Sequence, residues 1–274
     1  MKKSILLIND LPGYGRAALS VMLPVLSRMG YHVYNLPTAL VSNTLDYGKF
    51  AILETTDYMK NAFRVWEELG FRFDAISTGF LVSAAQTELI IDYCKVQKRN
   101  DTKLFADPIL GDEGKLYNGV TEQTIENMRK LVAVADYIVP NYTEACYLAK
   151  LPYKAFGMTK REAEELLTAL RDMGAASIVV TSAKVDGRDA VIGYDRKANQ
   201  NFMRPFSPVP AHFFGTGDMF SSVLIGRVLE GFSLQDGTQR AMDVVKEMIV
   251  SSQKNGGDYK GIPVELFLES IKIE

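Results

Sequence analysis

Cysteine, histidine and tryptophan are scarce in this chain, at two, two and one among 274 residues. Cys94 and Cys146 form no C-x-x-C pair, and with so few histidines a His/Cys zinc set cannot be assembled. A disulfide framework is therefore not expected, and a reduced, cytoplasmic enzyme is. Neither charge is in excess: 31 Lys and Arg face 33 Asp and Glu, a net charge of −2. The basic stripe of a nucleic-acid binder is missing, so no nucleic-acid partner is expected. Long apolar runs are missing too. Stretches such as Ser4–Ile8 fall far short of a membrane span, so no membrane role is expected. The N-terminal apolar run stops at Asn9-Asp10, too early for a signal-peptide core, and no small-residue cleavage site follows. Repeats, low-complexity tracts and Pro/Ser-rich linkers do not interrupt the chain, so residues 1–274 read as a single domain.

Short β-branched runs alternate with longer amphipathic ones. Strands are expected at Ile5–Asn9, His32–Leu36, Phe73–Ser77, Lys103–Asp107, Tyr137–Val139, Ser177–Thr181, Asp189–Tyr194 and Asn201–Phe206. Helical patterns lie at Leu19–Met29, Tyr58–Leu69, Gln86–Arg99, Glu122–Val134 and Arg161–Met173, the last opened by a capping box from Thr159 to Glu162. Unalternating strands such as Ile178-Val-Val-Thr181 are those of a sheet covered on both faces. The alternation predicts an α/β fold with a central, mostly parallel sheet and right-handed crossovers. After about Phe206 the pattern changes to a Pro-rich loop, then Gly215-Thr216-Gly217-Asp218, then helices Met219–Leu229 and Leu234–Gln253. In such sheets ligands bind outside the carboxyl ends of the strands, where most of the motifs fall.

Gly215-Thr216-Gly217-Asp218 opens a helix. Two glycines let backbone approach a ligand closely, and first-turn N–H groups lack intrahelical partners, which suits a transferring phosphoryl group. A carboxylate in the same turn can take a proton from an attacking hydroxyl. The plain alternative is a Gly-rich turn with an acidic first-turn residue. Asp107-Pro108 and Asn141-x-x-Glu144 each put hard oxygen ligands after a strand, where a Mg²⁺ held partly through water could bridge nucleotide phosphates. Turn formation by Asp107 and helix capping by Asn141 are compatible with that role. Gly13-Tyr-Gly15-Arg-Ala-Ala18 mimics a dinucleotide fingerprint. Asp10–Pro12 separate those glycines from the strand, and the next strand ends in Asn35-Leu-Pro without a ribose-gripping acid. No P-loop occurs, so ATP use must follow another plan. Trp66, in a helical pattern with Phe63 and Leu69, reads as core; Cys146 reads as a small buried residue. His32 and His212 have no partner by spacing.

Taken together, Gly215–Asp218 resembles the anion-hole and base motif of the ribokinase superfamily. Phe105–Asp112 and Ala135–Glu144 are similar to its pyridoxal kinase branch. So are Leu36–Asn43, resembling a substrate-side strand and loop, and Ser77-Thr-Gly-Phe80, resembling an S/T-G-[YF] turn. The resemblance covers essentially the whole chain. It implies a ribokinase-like α/β fold, with helices on both faces of the sheet, that phosphorylates the hydroxymethyl group of a B6 vitamer with ATP and Mg²⁺; a K⁺ requirement stays open. It implies Asp218 as general base, the Gly215-Thr216-Gly217 backbone as anion hole, and Asp107 and Glu144 around Mg²⁺ and phosphates. Asn141, Thr181 and Ser182 would line the nucleotide side; Thr38, Ser42 and Phe80 the pyridine pocket. A homodimer is implied as well.

This chain departs from the family at Asp10, where many members carry serine facing the vitamin's ring substituents. A carboxylate there favours a cationic amine or a protonated pyridine nitrogen and leaves vitamer preference open. The loop Gly111–Tyr117 is a short form of one that is longer in some relatives. A hydroxymethylpyrimidine kinase of the same fold is the nearest alternative, although that branch usually carries cysteine in place of Asp218. A sugar kinase lacks support near the N-terminus, and a non-catalytic B6 carrier fits poorly with the intact glycines and Asp218.

Overall fold

The computed structural model describes residues 3–44, 47–210, 213–254, 261–269 and 271. In chain order the elements are strand β1 (Ser4–Tyr14), helix α1 (Leu19–Arg28), β2 (His32–Asn43), β3 (Ile52–Glu54), α2 (Thr56–Glu68), β4 (Ala75–Thr78), α3 (Ala84–Lys98) and β5 (Lys103–Ala106). A small hairpin, β6 (Gly111–Asp112) and β7 (Lys115–Leu116), then leads to α4 (Glu122–Val132), β8 (Tyr137–Ile138), α5 (Tyr142–Ala149) and α6 (Lys160–Asp172). The chain ends through β9 (Ser177–Val185), β10 (Arg188–Asp195), β11 (Gln200–Pro205), α7 (Thr216–Glu230), α8 (Leu234–Lys254) and a 3-10 turn at Val264–Leu266. The central sheet has nine strands and is mostly parallel, as the alternation predicts. The residues group into two compact units.

The first unit holds the residues up to Val82, Val96–Thr102 and those from Val209 onward. Its strands run β4-β1-β2-β3, with β1 parallel to both neighbours and β3 antiparallel on the edge. Ile5, Leu6, Leu7 and Ile8 are fully buried, which is why this run carries no alternation. Here β1 runs longer than expected. Asp10, Leu11 and Pro12 belong to the strand and do not separate it from the glycines, and β2 continues through Pro37 to Asn43. Prolines fit because β4 pairs only with Ile5–Ile8, leaving one side of β1 unbonded by β4 at Pro12. The β1–β2 register shifts between Asn9 and Leu11, a bulge that re-aims the side chains around Asp10.

The second unit holds Ser83–Lys95 and Lys103–Pro208, with strand order β11-β10-β9-β8-β5. Strands β5, β8 and β9 are parallel; β10 and β11 turn back antiparallel. The Asp186-Gly187 link between β9 and β10 is too short for a crossover, and both its residues have positive φ, as a tight hairpin requires. Capping boxes open α4 (Thr121/Thr124), α5 (Asn141/Glu144) and α6 (Thr159/Glu162). The expected box at Thr159 and the burial of Cys146 are both present. Trp66 is half-buried, edge-on to Phe63 and Phe73, and Leu69 is 62% exposed. Only Phe63 of that trio is core, because α2 presents a narrow apolar stripe. His32 is exposed; His212 lies outside the described residues.

Candidate active site

In the first unit the site begins at Gly215. Its φ of +87° places it in the left-handed region as the cap residue of α7. A Cβ there would stand 2.7 Å from the Arg16 carbonyl oxygen, so a side chain is excluded by space as well as by conformation. The first helical bond runs from the Met219 N–H to the Gly215 oxygen at 2.9 Å. The N–H groups of Thr216, Gly217 and Asp218 therefore have no carbonyl one turn earlier to bond. At Gly217 a Cβ would meet nothing within 4 Å, so backbone is open to an approaching group. The Thr216 hydroxyl donates to the Phe213 oxygen at 3.2 Å and steadies the turn.

Asp218 is half-buried in the first turn of α7, and its Oδ2 accepts the Ala18 N–H at 2.8 Å. Ala18 caps α1, so one carboxylate faces the N-termini of two helices. Burial nevertheless dominates and pushes its pKa up to about 6, with the Ala18 bond opposing. A carboxylate tuned this close to neutrality is a competent general base. Asp10 on β1 is pushed further, to about 7, first by burial and then by the Asp218 charge. Asp218 ionises first, and Asp10 then titrates against it, so the two behave as a coupled pair.

Asn9, which belongs to no motif in the sequence, joins the expected pocket residues to one another. It is buried within an apolar strand, and its Oδ1 accepts the N–H groups of Phe80 at 2.8 Å and Asp10 at 3.0 Å. A Cβ on Gly79 would stand 2.4 Å from the Asn9 amide, which explains the glycine of the Ser77-Thr-Gly-Phe80 turn. Thr38 is fully buried and donates to the Phe80 oxygen at 2.7 Å. Phe80 is thus held at both backbone groups, with Asp10 beside it. Ser42 stands apart from these three: its hydroxyl donates to Asn43 and accepts the Ala51 N–H, bracing the approach to β3. A polar residue inside an otherwise apolar strand was the signal that could have found Asn9.

The second unit gathers the nucleotide-side candidates. Glu144 is buried, accepting N–H groups from Leu110 at 3.0 Å and Asn141 at 2.8 Å. Burial and the neighbouring Asp107 charge hold its pKa well above the usual carboxylate range. Asn141 accepts the Glu144 N–H and donates to the Gly111 oxygen at 2.8 Å, tying the hairpin to the start of α5. Thr181 pairs with Asn141 across a parallel bridge, and the exposed Ser182 follows with φ +55°. Among the described residues no cluster of three or more His, Cys, Asp or Glu could enclose a metal. A buried Glu144 carboxylate held above the usual range by burial and by the charge of neighbouring Asp107 does fit a Mg²⁺ that takes its remaining ligands from water and phosphate.

A glycine-led helix start with a near-neutral carboxylate, on a mostly parallel α/β sheet and without a P-loop, defines a ribokinase-like small-molecule kinase. The chain belongs to the phosphomethylpyrimidine kinase family, whose model matches residues 22–263. Among solved structures it is similar to a Bacteroides thetaiotaomicron protein assigned as a phosphomethylpyrimidine kinase and crystallised with pyridoxal. That likeness has a TM-score of 0.92 and 37% identity, covering 99% of this chain and 96% of the other. It is also similar to the pyridoxal kinase of Lactobacillus plantarum, with a TM-score of 0.88 and 30% identity over 98% of this chain and 96% of that one. A Schizosaccharomyces pombe protein assigned as a pyridoxal kinase is 29% identical over 71% of this chain, a match spanning 58% of that protein's length.

Proposed function

We propose that this protein transfers the γ-phosphoryl group of ATP to the hydroxymethyl group of pyridoxal, pyridoxine or pyridoxamine, yielding the 5′-phosphate in B6 salvage. The observation that carries the reading is Asp218, a base near pH 6 in the first turn of α7 beside the open backbone of Gly217. Similarity to pyridoxal kinases supplies the substrate class. Asp218 takes the hydroxyl proton as the oxygen attacks phosphorus. The N–H groups of the Gly215–Gly217 turn receive the charge that develops on the phosphoryl oxygens, and catalysis rests on positioning and electrostatics. Phe80 lies against the pyridine ring, Thr38 lines the pocket from behind by holding the Phe80 backbone, Ser42 borders the pocket, and Asp10 favours a cationic substituent.

On the nucleotide side, Asn141, Thr181 and Ser182 contact ATP. Asp107 and Glu144 hold Mg²⁺, which when bound neutralises phosphate charge. The protein works as one kinase domain, in the cytoplasm, as a homodimer. The exposed Leu40, Ile52 and Leu53 near the β3 edge support self-association, and the free, buried cysteines suit a reduced compartment. No helix among the described residues is long and apolar enough to cross a membrane.

A second reading, hydroxymethylpyrimidine kinase, is favoured by the description of the matching family. One coupled assay of ADP release with the three B6 vitamers and hydroxymethylpyrimidine separates them. Turnover of a B6 vitamer with higher kcat/KM than the pyrimidine is expected; turnover of the pyrimidine alone reassigns the enzyme, and no ADP with any of them refutes both.

A further inference from the structure

The segment Arg16-Ala17-Ala18 does more than start α1. Its Ala18 N–H bonds Asp218, and its Arg16 carbonyl lies where a Cβ on Gly215 would stand, at 2.7 Å. On its other side the chain's C-terminal segment presses on it. A Cβ on Gly261 would lie 3.1 Å from the Arg16 nitrogen and 3.2 Å from its oxygen. Gly261 also bridges Phe214, and the Ile262 N–H reaches the Phe214 oxygen at 3.2 Å, immediately before Gly215. The Arg16 guanidinium closes the arrangement on Glu265, with Nε at 2.8 Å and an outer nitrogen at 2.5 Å from Oε1. Ile262, Val264, Phe267 and Ile271 are buried, and Arg28 on α1 donates to the Leu268 oxygen at 2.7 Å, so the segment is anchored independently of the ion pair.

An exposed ion pair contributes little to stability, typically about 0–1 kcal/mol. This one ties Arg16, whose carbonyl abuts Gly215, to Glu265 in the segment whose Gly261 and Ile262 pair with Phe214. We propose that Arg16 and Glu265 are positioning residues: their ion pair fixes the Arg16–Ala18 backbone so that the Gly215 turn and the Asp218 carboxylate keep the geometry phosphoryl transfer needs. The proposal rests on the reading of Asp218 as base. It has a consequence that a merely structural pair would not share. The Ala18 N–H is a hydrogen bond that lowers Asp218's proton affinity, so loosening it raises the pH at which the base switches on. Among the described residues, Asp10 on β1 is a titrating group that feels the Asp218 charge, and its backbone N–H is held by Asn9, which also holds Phe80.

The test measures kcat and KM against pH, with pyridoxal and MgATP, for the full chain and for Arg16→Met, Glu265→Gln, Gly261→Ala and the exchange Arg16→Glu with Glu265→Arg. Each single variant is expected to lower kcat at neutral pH by roughly tenfold, within the range that small misplacements of reacting groups produce. KM for the vitamer should change little, and the acid limb of the profile should move to higher pH. The exchange should restore both. Gly261→Ala displaces the same backbone without removing a charge and shows whether that backbone sets the rate, while Glu265→Gln decides the pair's part even if Arg16→Met fails to fold. Wild-type kcat and an unmoved acid limb in Glu265→Gln would overturn the proposal whatever Gly261→Ala does, as would an exchange that restores nothing. Asp218→Asn, run alongside, keeps the two readings apart. If it is fully active, the base assignment fails; if it is inactive while the others are normal, the positioning role alone fails.

Discussion

Replacing Asp10 by asparagine removes a charge that the fold resists. Burial and the Asp218 carboxylate raise Asp10 from 3.8 to about 7. Because the folded-state pKa lies above the unfolded one, the folded protein holds this proton more tightly. Its stabilising contribution is fully present below about pH 4 and is lost as pH rises through about 7. Three units at 1.36 kcal/mol each give about 4 kcal/mol as an upper bound, and solvent screening of a half-buried group reduces this to roughly 2–4 kcal/mol. Asp10→Asn should therefore match the wild type near pH 4 and exceed it progressively toward pH 8. The gain corresponds to roughly 4–15 °C in Tm for a chain of this size. Calorimetric melts across that range measure it directly. A Tm difference that stays constant with pH would refute the reasoning, because it would mean that Asp10 is solvated and uncoupled from Asp218. The same variant should lose preference for pyridoxamine over pyridoxine, as roughly 1.5–3 kcal/mol goes with one charge-assisted hydrogen bond.

Gly217→Ala should leave the unfolding free energy within about 1 kcal/mol of wild type, since a Cβ there meets nothing, yet lower kcat/KM at least tenfold if the phosphoryl group approaches that backbone; full activity would make the glycine incidental. Glu144→Gln should raise the apparent Mg²⁺ and ATP requirements with the fold retained, and activity of the wild type in excess chelator would contradict the metal role. Asn9→Ala strands the Phe80 and Asp10 N–H groups, so a loss of about 1–3 kcal/mol and a raised vitamer KM are expected; denaturant titration and steady-state kinetics check the two separately.

Much of the scaffold was legible because its signals are local. The apolar run Ile5–Ile8, the Thr159–Glu162 box and the Gly215 turn each carry a pattern within a few residues, and the structure places a strand, a capped helix and a left-handed cap there. Where the sequence misled, the deciding contact was distant. Pro12 looks like a strand end, yet β1 continues because β2 supplies its partner from Val41. Asn9 is unremarkable until Gly79 and Phe80 fold against it, and Ala18 gains meaning only from a carboxylate 200 residues later. Glu265 carried no motif at all; nothing short of the folded chain sets it beside Arg16.

The central claim is that Asp218 is the base of a phosphoryl transfer to a B6 hydroxymethyl group, and Asp218→Asn tests it most directly. Asparagine keeps the size and still accepts the Ala18 N–H through its amide oxygen, but it cannot take the proton. Single-turnover and steady-state rates with pyridoxal and MgATP should fall by roughly 10²–10⁴-fold, while pyridoxal binding by calorimetric titration persists. The acid limb of the wild-type profile should lie near pH 6, where Asp218 protonates. A near-normal rate in Asp218→Asn, with that acid limb unchanged, would contradict the account.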